Sequence, residues 1–391
     1  MEEKTTDPEK ELPTFEQGPI RPPSEARSLL LRVTRNCPWN RCRFCPVYKG
    51  SKFSLRSAEE VKSDISAMKY WEERVIEESW RLGFGGELDN RSLAAVYQRN
   101  AGNPFMSAIL VWKSGGGKTA FLQDANSVIM RPGNLAEVLE FLRQTFPGLE
   151  RVTTYARSQT LSKRTEDDLK LLRSSGLDRL HVGMESGSDR VLELVDKGST
   201  HDMHVAGGQK ALAADFQLSE YIMPGLGGRA LSEEHALETA RALNAINPHF
   251  IRIRSLGLRD GMPLYEDVKA GTFELLNDEE MAREIRLLIE NLSGISSKIV
   301  SDHILNLLPE VEGKLPEDKD NILAAIDRFL ELDPERRLQY VVGRRFGLME
   351  DMSDLEDRER AEAARRALAK VREAGGDDVH QTIREIVSRF I

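Results

Sequence analysis

The chain's whole supply of thiols falls within nine positions: Cys37, Cys42 and Cys45, in the stretch NCPWNRCRFCPVYKG (36–50). A structural zinc site takes four protein ligands, commonly as two separated pairs, so zinc here must borrow a distant histidine such as His181. A [4Fe–4S] cluster normally takes four thiolates. Three leave one iron open to bind and activate a small molecule, and Pro38 and Asn40 suit a loop that curls around one cluster. Inert thiols are the plain alternative, but such residues are spread through apolar segments, and this stretch is polar and turn-like. On spacing alone, cluster, zinc and simple electron transfer all stay open.

Two other stretches invite chemistry. SGGGKT (114–119) lacks the first glycine of a phosphate loop, because Trp112 stands there, so it reads as a turn. SDHILN (301–306) groups Asp302, His303 and Asn306. Capping and surface polarity explain that set. Otherwise His303 is a candidate acid or base with a pKa near neutrality.

The bulk numbers bound these readings. The 391 residues are 40% hydrophobic and 30% charged, an ordinary globular balance. No apolar run approaches the roughly 20 residues that a membrane span needs. The start, MEEKTTDPEKEL, is neither a secretory signal nor an Arg-rich transit peptide, so a cytoplasmic location is expected. A net charge of −9 offers no basic face for gripping nucleic-acid phosphates. An odd, clustered set of cysteines in a reducing compartment points to metal or redox chemistry rather than a disulfide framework.

The elements that must position these residues alternate along the chain. Residues 1–27 carry five prolines and read as an extended arm. SLLLRVT (28–34) is a strand that delivers the chain to Cys37, and 57–80 is a helix with Ser57 as N-cap and Glu59 and Glu60 in its first turn. More helix is expected over 90–112, with MSAILVW ambiguous. Strands at TAFLQDA, RVTTYAR, DRLHVGMES, FQLSEYIMP and HFIRIRSL then alternate with helices. Counted from Ser28 this gives six β/α units, hence an α/β fold: a partial (β/α)6 TIM-like barrel over 28–265 with a C-terminal helical extension over 266–391. A doubly wound sheet is the alternative. Alternation in barrel strands sends Tyr155, Arg157, His181, Glu185, Arg252 and Arg254 inward. Three inward arginines near strand ends call for anions to pair with them.

The cysteine segment resembles the cluster loop of radical S-adenosylmethionine (SAM) enzymes, in which three cysteines follow the first barrel strand. The usual spacing there is Cys-x3-Cys-x2-Cys; here it is Cys-x4-Cys-x2-Cys. Residues 28 to about 265 resemble the core of coproporphyrinogen dehydrogenase-like, methylthiotransferase-like and nitrogenase-cofactor-assembly radical SAM proteins. The resemblance implies a [4Fe–4S] cluster on Cys37, Cys42 and Cys45, and SAM cleaved reductively to a 5′-deoxyadenosyl radical. It implies Phe44 beside adenine, Glu185 at the ribose and Lys197 at the carboxylate, with Tyr155, Ser219 and Tyr221 near SAM. Relatives hold the SAM ammonium in a Gly-rich turn after the second strand. Here LQDAN stands in its place, with Asp124 as the expected acceptor. Arg157, Arg252 and Arg254 are substrate candidates, and Tyr155, His181 and His303 are catalytic candidates. Implied partners are a small-molecule, anionic substrate and an external electron donor such as flavodoxin or ferredoxin. With no fourth cysteine, methylthiotransferase chemistry is not expected. The rival reading is a non-catalytic cluster- or haem-binding protein, chaperone-like, on the same fold.

Overall fold

The structure, a computed structural model, describes residues 12–375 and 379–387. Its centre is an eight-stranded sheet with strands side by side in chain order: β1 (Leu29–Arg32), β2 (Thr119–Gln123), β3 (Arg151–Ala156), β4 (Arg179–Glu185), β5 (Gln217–Ile222), β6 (Phe250–Ile253), β7 (Lys298–Val300) and β8 (Gly313–Lys314). Neighbours from β1 to β7 are parallel, and β8 runs antiparallel to β7. Helices connect the parallel strands, as a partial barrel requires. A doubly wound sheet switches direction around its first strand; this sheet does not, and β1 and β8 stay as its edges.

The six expected units are present, but the sheet continues for two strands inside the region read as purely helical. Residues 298–300 and 313–314 are too short to show alternation against their serine- and glycine-rich flanks. MSAILVW resolves as helix within Pro104–Ser114, where Pro104 sits in the first turn and the Asn103 side chain accepts from Met106 N. The helix Ala58–Arg81 opens with the full capping box of Ser57 and Glu60.

Alternation sets the two faces of the sheet. Ala120, Leu122, Val152, Leu180, Val182 and Ile251 are buried in the main hydrophobic core. On the other face Phe121, Tyr155, His181 and Tyr221, from four adjacent strands, form a belt of rings with successive centroids 5.0, 6.1 and 5.5 Å apart. Such ring pairs contribute about 0.5–1.5 kcal/mol each beyond their burial, so the belt makes a firm floor for whatever lies above it.

The described part of the arm, from residue 12, is extended and ends in a short 3-10 turn at Pro23–Glu25. Trp71 Nε1 donates to Pro13 O at 2.7 Å, and Glu16 N donates to Asp64 at 3.0 Å. Glu25 is fully buried and accepts from Ser28 Oγ at 2.5 Å and Arg151 at 3.0 Å. Among the described residues no helix is long and apolar enough to cross a membrane.

Candidate functional site

The cysteine loop starts where β1 ends. Asn36 and Asn40, on either side of Cys37, take left-handed φ values of 67° and 47°, which asparagine tolerates better than most residues. Asn40 N points to Cys37 Sγ at 3.4 Å. The loop is fastened on two flanks. On one, Asp124 at the end of β2 is fully buried and gathers Arg32 Nε (2.8 Å), Asn36 N (3.0 Å) and Tyr48 Oη (2.9 Å). On the other, Trp39 Nε1 donates to Asp196 O at 2.6 Å, and Arg43 N to Val195 O at 2.9 Å. Arg157 lies 5.1 Å over the Trp39 ring and donates to Lys197 O at 2.5 Å. Gly198, at φ 66°, packs so tightly that a Cβ would collide with the Trp39 ring.

The three cysteines line a cavity of about 680 Å³ at the C-terminal ends of the strands, the end where barrel chemistry resides. Phe44 forms part of its wall and packs against an apolar cluster that includes Val195, Met223 and Leu226. Glu185 lines it with a left-handed φ of 64°, a conformation that costs about 1–3 kcal/mol for a non-glycine residue. Its Oε1 accepts from Lys197 Nζ at 2.9 Å. Gly183 leaves room for this pair, since a Cβ there would collide with Glu185. Burial, above all, pushes the Cys45 thiol up, and the neighbouring Cys42 and Cys37 add to the effect.

The donor set fits a cluster better than a single ion. Among the described residues no three His, Cys, Asp or Glu side chains converge on one metal position, whereas the thiolates of a cube each reach a different iron. His181, which zinc would have to borrow, sits in the ring belt away from the cysteines, 3.7 Å from Glu25. That gap exceeds a hydrogen bond, and burial pushes the ring down to about 4.

Of the other expected site residues, Tyr155, Arg157, Glu185, Lys197, Tyr221 and Arg254 reach the cavity. Tyr155 and Tyr221 are its ring floor, and burial pushes both phenols up. Asp124 does not reach it; its carboxylate is taken by the internal donors described above, so it braces the loop instead of meeting an ammonium. Ser219 and Arg252 do not line the cavity; Ser219 accepts from Arg252 Nε at 3.1 Å, and Arg252 also pairs with Asp302 at 3.0 Å. His303 Nδ1 accepts from Leu305 N at 3.3 Å and is pushed down to about 4 by burial and by Arg254. Asn306 is buried and ties Ser255 N to Ile253 O, so it braces the end of β6 and caps no helix among the described residues.

Two buried polar side chains have surroundings that the sequence does not announce. Gln123 is fully buried and bonds the backbone of the arm, accepting from Gly18 N (2.9 Å) and donating to Gly18 O (3.0 Å) and Ile20 O (2.7 Å). Arm residues 19–23 therefore line the same cavity as the cysteines. A polar side chain at the inward parity of an otherwise apolar strand was the available signal. Glu220, on the outward face of β5, is fully buried with both carboxyl oxygens unpartnered.

Residues 108–241 match the Radical SAM superfamily, a match that begins beyond the cysteine loop. No curated protein matches the chain by sequence. Similar solved structures include Elp3 of the archaeon Methanocaldococcus infernus lacking its N-terminus, at 16% identity and TM-score 0.38 over 47% of this chain and 48% of that one. Methylornithine synthase is 14% identical with TM-score 0.41 over 84% of each chain. The radical S-adenosylmethionine methyltransferase TsrM of Kitasatospora setae is 17% identical with TM-score 0.40 over 62% of this chain and 38% of its own. The chain thus spans about half the length of that Elp3 chain. At these scores the likeness bears on neither substrate nor site.

Proposed function

We propose that this chain, which matches the Radical SAM superfamily over residues 108–241, is an enzyme that binds a [4Fe–4S] cluster through Cys37, Cys42 and Cys45 and cleaves SAM reductively. One observation carries the reading: the three thiols, Phe44, the Glu185–Lys197 pair and Arg254 all face one cavity of about 680 Å³. That size lies within the roughly 300–1,000 Å³ of small-molecule sites. When bound, the cluster supplies the electron that releases a 5′-deoxyadenosyl radical from SAM. The chain's own part is positional. Phe44 offers an apolar face for adenine, while Glu185 and Lys197 offer an acceptor and a cation for ribose and carboxylate. The ring floor of Tyr155 and Tyr221 keeps water from below. Arg254 faces the cavity with no ion-pair partner among the described residues and supports an anionic small molecule as substrate. A flavodoxin- or ferredoxin-like donor would supply the electron.

The test is mass-spectrometric detection of 5′-deoxyadenosine from reconstituted protein, SAM and reductant, beside Cys42→Ala. Product from the wild type alone is expected. A wild-type chain that takes up no iron would sink the reading.

One observation favours a second reading, a cluster- or haem-binding protein without turnover. Gln123 and Asp124 replace the glycines expected to hold the SAM ammonium, and both side chains are occupied internally. Stoichiometric haem binding with no deoxyadenosine, despite a full cluster, would select it.

A further inference from the structure

We propose that arm residues Pro19–Pro23 form a wall of the substrate site, and that Arg21, with Arg254, binds an oxyanion, carboxylate or phosphate, of a small-molecule substrate. This rests on the cavity being the reaction site. Arg21, from the arm, and Arg254, just past β6, both line that cavity. Neither has a carboxylate partner among the described residues, in a chain whose net charge is −9. The cavity's other cations, Lys197, Arg157 and Arg259, each have a partner of their own. Lys197 is held by Glu185, and Arg157 by the carbonyls of Lys197 and Gly198. Two guanidinium groups without carboxylate partners on one partly enclosed volume suit an oxyanion, which can take charge-assisted, bidentate hydrogen bonds from them.

The arm fixes the backbone on both sides of Arg21. Gln123 grips Gly18 and Ile20 with three hydrogen bonds. Gly18 lies so close to Asp124 that a Cβ would collide with its carboxylate. Behind Arg21, Pro22 and Pro23 fix their φ angles, and buried Glu25 bonds Ser28 and Arg151. Arg21 is thus presented from a segment pinned on both sides, which reduces the entropy lost on binding. The same arrangement accounts for the sequence after β2: Gln123 holds the arm, Asp124 holds the cysteine loop, and a glycine turn could do neither.

The test titrates the full chain with pyrophosphate and with citrate by calorimetry at fixed ionic strength, comparing Arg21→Gln, Arg254→Gln and the remote control Arg91→Gln. The wild type is expected to bind at least one probe. Each site variant should weaken that binding by about tenfold or more, as for loss of a charged hydrogen bond, with Arg91→Gln unchanged. Gln123→Leu should weaken it too, and should speed hydrogen exchange at the Gly18 amide. Absence of binding in the wild type, or unchanged affinity in Arg21→Gln, overturns the proposal. The titration needs neither cluster nor turnover, so failure of iron uptake would strike the function proposed above and leave this result legible.

Discussion

Asp124 and Glu220 are both fully buried carboxyls at neighbouring levels of the barrel, and their surroundings are opposite. Asp124 is ringed by a guanidinium, an amide and a phenol. Removing it strands buried donors, so Asp124→Ala is expected to lower stability by about 3–5 kcal/mol in urea melts and to reduce iron uptake. Glu220 has no hydrogen-bond partner, and burial, reinforced by Glu185, pushes its carboxyl well above the ordinary 4.5. The unfolded chain sheds this proton near 4.5 while the folded chain keeps it. Above that pH the unfolded state binds fewer protons, so wild-type stability falls as pH rises. Glu220→Gln removes the penalty. Its urea midpoint should match the wild type near pH 4.5 and exceed it increasingly toward pH 8; a constant offset would contradict this account. At this scale the sequence made the cysteines and the inward parity of Tyr155, Glu185 and Arg254 legible. It could not show Asp124's role, because Arg32, Asn36 and Tyr48 meet it from about 76–92 residues away.

Elements were read where periodicity had room to declare itself. Six strands of four to seven residues, each followed by helical pattern, gave the barrel. β7 and β8 escaped because three and two residues carry no period. The arm is extended, and extended chain with many prolines looks the same in sequence whether it trails or docks. The turn after β4 yields a prediction of its own. Gly198 combines a left-handed φ with contact against Trp39, so Gly198→Ala adds about 1–2 kcal/mol of backbone cost and displaces the indole that secures the cysteine loop. Iron per chain after reconstitution should drop while the circular dichroism spectrum holds. Full iron in this variant would mean that the Trp39 contact is dispensable.

Across the molecule, burial lowers the pKa of three histidines, His181, His204 and His303. His181 and His303 are pushed down to about 4 by burial, and His204, fully enclosed, is lowered further by burial and nearby cations. The unfolded chain takes up these protons near 6.5, so below that pH it binds more protons than the folded chain. Their contribution is therefore complete above about pH 6.5 and is lost as pH falls toward 4. For His181 alone the loss is of the order of 3 kcal/mol. Urea midpoints between pH 7.5 and 4.5 should fall steeply in the wild type and less so in His181→Gln. The double duty of the Gln123–Asp124 step also has a meaning in time. A ribosome makes the three thiols long before it makes the residue that braces their loop. The intervening chain of about 80 residues takes roughly 4–16 s to synthesise. For that interval the thiols are bare on an unanchored segment, so whatever delivers iron, or oxidises sulfur, meets this nascent chain before its own architecture shelters it.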